Sequence, residues 1–367
     1  MELQNDTYLL KMEQISALKK EMKDNFLKKG IRIGLLSGAL YGVYTALLTL
    51  GMSTDIWGDW YGENTSGLTI FTITYLLAAL GNALNDTCSA IWALFNAAKD
   101  GKFQDFLRTI NSKPGRKIML AALLGGPIAG TAYVIALQMA GSIIVPISAL
   151  CPAISAILGK IFYKQEINKR MALGILICVS ASFIIGSTGM TGGEISVELF
   201  LGIVVALIAA FGWGFEGCVA GYASAMVDTQ IGICIRQLTS GLVNLLVLVP
   251  LIGLLGDGVG EAIHLAVQAI TSPAIIWFVL SGLAAFLSFM MWYAGNSMCG
   301  AGLGTACNGT YSFFGPLFCW IVLGVIYGKE GWSLPLVAWI GALIMILGIL
   351  IIAMNPLDLI RSKKEEI

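Results

Sequence analysis

The chain has 367 residues, 57% of them hydrophobic and only 12% charged, and its 22 basic and 22 acidic side chains leave a formal net charge of zero. A soluble domain carries about 25% charged residues, so the composition excludes a soluble enzyme, a nucleic-acid binder and a disordered chain. With a mean hydropathy of +0.82, and about 20 apolar residues sufficing for one crossing, it describes an all-α polytopic membrane protein.

Residues 1–31 are charged rather than apolar, so no cleavable signal peptide is expected. Tyr8, Met12, Ile15, Met22 and Phe26 recur there at helical spacing among lysines. That pattern fits a cytoplasmic amphipathic helix on an anionic membrane surface, and equally a solvated helix ahead of the first span. Ten apolar stretches follow, at approximately 32–51, 68–96, 117–139, 142–161, 170–188, 199–223, 230–255, 274–296, 303–327 and 334–354. The first five are expected to form one unit, 32–188, and the last five a second, 199–354. A linker at 189–198 joins them and a tail at 355–367 follows.

The basic residues set the predicted topology. With the N-terminus inside, all Lys and Arg except Lys329 and Arg236 fall at cytoplasmic positions. The outer loops are acidic instead, with Asp55, Asp59, Glu63, Glu194, Glu198, Asp257 and Glu261. Both termini are therefore expected in the cytoplasm, the linker outside, and the protein in the inner or plasma membrane.

The halves resemble each other. The first reads Pro152, thirteen residues, Glu166, then Gly174 opening an apolar run; the second reads Pro316, thirteen residues, Glu330, then Gly341. A five-span unit starts its copy on the opposite side, so the two must be inverted, an arrangement that lets a central site face each side in turn. The two glutamates are expected to cap the helices that follow them, where the helix dipole favours a carboxylate.

Two five-span units, each ending in Pro-x13-Glu and a Gly-rich helix, resemble the EamA-type members of the drug/metabolite transporter superfamily. Ala136, Ala140 and Gly141 ahead of Pro152 resemble the family's small-residue hairpin between helices 3 and 4, and Gly212-Trp213-Gly214 its unit-opening helix. The resemblance covers about residues 32–354, with extended loops at 52–67, 97–116 and 256–272 as departures. It implies secondary-active alternating access around a cavity lined by helices 1, 3, 4, 6, 8 and 9.

Other chemistry is not signalled. There is no Walker A sequence for ATP-driven transport, no HExxH and no GxSxG. His264, the single histidine, sits in an outer loop without a visible partner. The eight cysteines lie in or beside apolar runs with no CxxC, which points to packing rather than disulfides or zinc. No cofactor or metal is expected, and the chain reads as a non-enzyme. Asn64-Thr65-Ser66 is a formal glycosylation sequon.

Two groups of residues could meet substrate. Aromatic side chains gather on the cavity helices: Tyr41, Tyr44, Tyr133, Trp213, Phe215, Trp292, Tyr293, Tyr311, Phe313 and Phe314. Aromatic faces attract organic cations and stack on rings. Gly125, Gly126 and Pro127, with Pro146, Pro152 and Pro316, mark close packing or kinked gating hairpins. The second group is ionisable. Asp86, Glu216 and Arg236 each lie about ten residues from a cytoplasmic helix end, at about 15 Å depth. A charge at that depth needs a partner or a cavity. Arg236 is expected to pair with one acid, leaving the other for a proton or a substrate cation, with Glu216 favoured as the ligand because helix 6 lines the cavity in the resembled family. A static network that only fixes helix packing is the alternative. The favoured function is transport of an organic cation or amine, coupled to protons, by a monomer or homodimer. A neutral or zwitterionic solute such as a sugar, amino acid or nucleoside is second, and a non-transporting protein such as a lipid scramblase third.

Overall fold

The computed structural model describes residues 2–53, 58, 66–164, 167–188, 196–223, 226–299 and 301–353. The side chains of Tyr8, Met12 and Ile15, the acidic residues Asp55, Asp59, Glu63 and Glu194, the Asn64 sequon, Glu166, most of the 189–198 linker and the 355–367 tail fall outside that description. Met22 and Phe26 are exposed.

Each expected apolar stretch is helical. Helix α1 runs unbroken from Glu2 to Gly51, so the N-terminal segment from Glu2 onward is helical and continuous with the first apolar stretch. Helix α2 (Leu77–Lys99) follows a π-turn at Thr72–Leu76. The expected loop at 97–116 holds a short helix, α3 (Phe103–Ile110), whose Phe103, Phe106, Leu107 and Ile110 repeat at helical spacing. Ser112 then caps α4 (Lys113–Leu123), accepting from the Gly115 amide at 3.1 Å. A π-turn at Leu124–Ile128 carries Pro127 and leads into α5 (Ala129–Ala140). Gly141, at φ 63°, turns the chain into α6 (Ile144–Ser148) and α7 (Cys151–Tyr163).

The remaining helices are α8 (Lys169–Thr188), α9 (Val197–Ala223), α10 (Thr229–Val243), a π-turn at Asn244–Leu248, and α11 (Val249–Leu255). The expected loop at 256–272 also contains a helix, α12 (Val259–Thr271). Then come α13 (Ile275–Cys299), α14 (Ala301–Asn308), α15 (Tyr311–Cys319), a π-turn at Trp320–Ile326, and α16 (Leu336–Ala353). The fourth and ninth apolar stretches are thus interrupted, the former between Ser148 and Cys151 and the latter between Asn308 and Tyr311. Among the described residues there is no strand, and seven helices are long and apolar enough to cross a bilayer. The chain is an all-α, multi-pass membrane protein.

Packing is built on small residues, because lipid supplies no hydrophobic drive between helices. Gly34, Gly38 and Gly42 lie one turn apart on α1, where a Cβ would strike Cys307, Thr310 and Phe314 of the α14–α15 segment. The main pairings are α1 with α13 and α15, α9 with α5 and α7, α2 with α10 and α13, and α8 with α16. Gly174 of α8 sits against Gly348 and Ile352 of α16, and Gly341 of α16 sits against Ile185 of α8. Cys88, Cys151, Cys178, Cys218, Cys234, Cys307 and Cys319 are buried and form no disulfide among the described residues.

Two expectations fail. Glu330 lies in a turn six residues before α16 begins and makes no hydrogen bond with a described residue, so it does not cap that helix; Gly331, at φ 84°, and a non-helical stretch to Pro335 separate them. His264 is not alone, since its Nδ1 lies 3.4 Å from Glu261 Oε1, one helical turn earlier on α12.

Candidate functional site

The three intramembrane ionisable residues converge at one level, all deeply buried: Glu216 is 0%, Arg236 1% and Asp86 4% exposed. Arg236 of α10 grips Glu216 of α9 through two bonds, Nε to Oε1 at 2.9 Å and Nη2 to Oε2 at 3.2 Å. Its Nη1 donates to Gln237 Oε1 at 2.6 Å, and its guanidinium lies 3.8 Å from the centre of the Phe289 ring. Tyr293 of α13 donates to Glu216 Oε1 at 3.1 Å. Planar two-point pairing with further donors and an aromatic face is the geometry that makes a buried ion pair tolerable.

Arg236 therefore pairs with Glu216, the acid that the sequence favoured as ligand, and Asp86 is the acid left outside the pair. Asp86 Oδ2 accepts from the Ser240 hydroxyl and from Asn244 Nδ2 at 2.8 Å, and Asn85 Nδ2 reaches Oδ1 at 3.3 Å. These bonds come from neutral groups, so one negative charge is left without a formal counterion among the three residues. Spacing explains the arrangement. Asn82, Asn85, Asp86 and Ser89 form one stripe on α2, and Arg236, Gln237, Ser240 and Asn244 form another on the α10 segment. The two stripes face each other, with Gln237 donating to Ser89, and Thr131 and Ser281 bonding the flanking asparagines Asn82 and Asn85.

Gly125 is what lets α9 and α10 close on the third apolar stretch. The π-turn passes the Ala129 amide to Leu124 and Gly126. The Gly125 carbonyl in turn accepts from Trp213 Nε1 at 2.8 Å and from Arg236 Nη2 at 3.5 Å. A Cβ at Gly125 would fall on the Glu216 carboxylate, and one at Gly126 on the Ser240 hydroxyl.

Beside the charges lies an aromatic cage. Tyr41 is its hub, with ring centroids 4.9 Å from Tyr44, 6.0 Å from Tyr133, 5.7 Å from Trp213 and 4.4 Å from Tyr311. Phe289 joins cage to ion pair, 6.1 Å from Tyr41 and directly under Arg236. The Tyr311 hydroxyl lies 3.4 Å from Ser148 Oγ and 3.8 Å from Cys151 Sγ, so the two interrupted helices meet at their interruptions. Tyr41 Oη is buried with no hydrogen-bond partner among the described residues.

Of the other aromatic candidates, Trp292 donates to Thr305 at 3.1 Å and touches the centre only through Tyr293 and Phe289. Phe215, Phe313 and Phe314 turn away, toward Phe162, Trp339 and Phe318. Phe289, Asn85, Gln237, Ser240 and Asn244 were missed from sequence. Only the polar ones left a signal there, the two helical stripes.

A cavity of about 270 Å³ opens where α1 and α5 meet the segment before α16, lined by Thr49, Ser53, Gln138, Glu330 and Trp332 over an apolar floor that includes Leu48 and Val134. The Thr45–Tyr133 hydrogen bond, 2.9 Å long, is one turn from that floor and ties α1 to α5 at the edge of the cage. A second tie joins the segments between other helices: Lys102 Nζ lies 2.8 Å from Asp228 Oδ2, and Gln230 Nε2 donates to Asp100 at 2.9 Å.

No protein-family model matches the chain, and no curated protein matches it. A solved structure described only as the crystal structure of a protein superposes with a TM-score of 0.54 at 17% identity, covering 89% of this chain and 97% of that one. What the chain shares with it is the fold.

Proposed function

We propose that this protein is a secondary-active transporter that carries a small organic cation or amine by alternating access. In this reading it has ten spans in two inverted five-helix units, as in the EamA-type transporters it resembles. It sits in the cell membrane with both termini in the cytoplasm. The observation that carries the reading is Asp86, a surplus buried carboxylate beside a saturated ion pair and a cage of five aromatic rings. A cation would neutralise the charge while the rings desolvate its apolar body.

Several features support the architecture. Exchanging each helix for its counterpart five spans away turns the pairing of the first and eighth into that of the sixth and third, and the first and ninth into the sixth and fourth; the observed pairings are unchanged by it. The fifth and tenth spans pair through Gly174 and Gly341, equivalent positions in the two halves. The interrupted helices, fourth and ninth, are also counterparts, and discontinuous helices at the midplane are a recurrent feature of transporter binding sites. On the predicted topology the cavity beside Glu330 faces outward, and the Lys102–Asp228 tie closes the cytoplasmic side.

Uptake by proteoliposomes under a pH gradient tests this. Wild-type protein should accumulate protonated amines, and Asp86→Asn, purified folded, should abolish accumulation or its pH dependence. Unchanged accumulation and pH dependence in Asp86→Asn would refute the assignment. Labelling of Glu63→Cys from the cytoplasm alone would overturn the topology.

A further inference from the structure

We propose that the cavity beside Glu330 is a recognition site in its own right, selective for a monovalent organic cation with an apolar body. This rests on the transport reading for its purpose but on separate residues for its chemistry. Among the described residues Glu330 is the single formally charged side chain in the lining, and no described basic residue joins it there. It is exposed and makes no hydrogen bond with a described residue, so its carboxylate is available. Trp332, two residues away, also lines the cavity, as do the neutral polar residues Gln138 and Thr49.

That lining discriminates between ligand classes. An anion would meet a carboxylate with no compensating cation. A hard metal ion requires about six oxygen ligands, whereas the described lining offers one carboxylate against a floor of Leu48, Val134 and Leu137. An ammonium group between a carboxylate and an indole gains both Coulomb and cation–π attraction, and the apolar floor takes the rest of the molecule. The cavity therefore selects by charge at the surface, one turn before the Thr45–Tyr133 bridge and the aromatic cage.

The test compares two probes of equal shape, 2-phenylethylammonium and 2-phenylethanol. Their binding to the purified full chain is measured calorimetrically in the Asp86→Asn background, which removes the central surplus carboxylate. The amine should bind about tenfold tighter than the alcohol, equivalent to about 1.4 kcal/mol. Glu330→Gln should erase that preference without changing alcohol binding, Glu330→Asp should retain most of it, and Trp332→Leu should weaken the amine more than the alcohol. Equal affinities for the two probes, or a preference that survives Glu330→Gln, would overturn the proposal. Charge preference at Glu330 with no flux by the wild-type protein would uphold the site and defeat the transport reading. Flux indifferent to Glu330→Gln, with no preference at the cavity, would do the reverse.

Discussion

Glu216→Gln isolates the energetics of the buried pair. The substitution keeps the side-chain length and one oxygen, so Tyr293 and Arg236 Nε can still find an acceptor. The other oxygen becomes an NH2 that faces the Arg236 Nη2 donor across what is now a 3.2 Å bond. Arg236, 1% exposed, then loses the carboxylate that it holds by two hydrogen bonds. Two opposite charges at about 4 Å attract by about 4 kcal/mol at an effective dielectric of 20, and removing one partner of a buried pair costs about 3–5 kcal/mol. Reversible unfolding in mixed micelles should register a loss in that range. A double replacement, Glu216→Leu with Arg236→Met, should recover most of it, because hydrophobic residues of similar volume replace such pairs at little cost. A single mutant as stable as wild type, or a double mutant less stable than either single one, would refute the reasoning.

Other expectations follow from neighbouring contacts. Gly125→Ala places a methyl on the Glu216 carboxylate; overpacking of this kind costs about 1–3 kcal/mol, visible as a lower unfolding midpoint, and Gly260→Ala, with open space around it, should leave that midpoint in place. Partial burial raises the Asp228 pKa, but Lys102 and the first amides of α10 outweigh it and hold the carboxyl below the usual range. Its contribution is therefore present above the unfolded value of about 3.9 and lost as pH falls through the lower folded value. Hydrogen exchange at Gln230 and Ile231 should accelerate on that descent, and Asp228→Asn should remove the pH dependence.

The sequence disclosed the apolar helices because hydropathy and length alone identify them, and it disclosed that three charges share one depth. It did not disclose which acid takes Arg236. Depth is equal for Asp86 and Glu216, and the choice is made by the Gly125 carbonyl, by Tyr293 and by Phe289, which come from distant parts of the chain. The two polar stripes that hold Asp86 were legible as spacing, since Ser240 and Asn244 fall four residues apart on the Arg236 face. The helix at Phe103–Ile110 was legible too, as an apolar pattern too short to span. Glu330 was misread because a Pro-to-Glu interval says nothing about where the next helix starts. The non-helical segment through Gly331 and Pro335 separates Glu330 from α16 and leaves it lining the cavity.

The seam between α2 and α10 also bears on how the chain enters the membrane. Helix α2 is not among the seven described segments apolar enough to cross by themselves, for it carries Asn82, Asn85, Asp86 and Ser89. An aspartate at mid-bilayer costs about 2.5–3.5 kcal/mol on insertion scales. The groups that accept it, Ser240 and Asn244, are 154 and 158 residues further along. At about 5–20 residues per second of synthesis, α2 must wait roughly 10 to 30 s for them. Helix α2 is therefore expected to partition into lipid together with α10 rather than ahead of it, so that Asp86→Leu should let α2 insert by itself in a truncated chain.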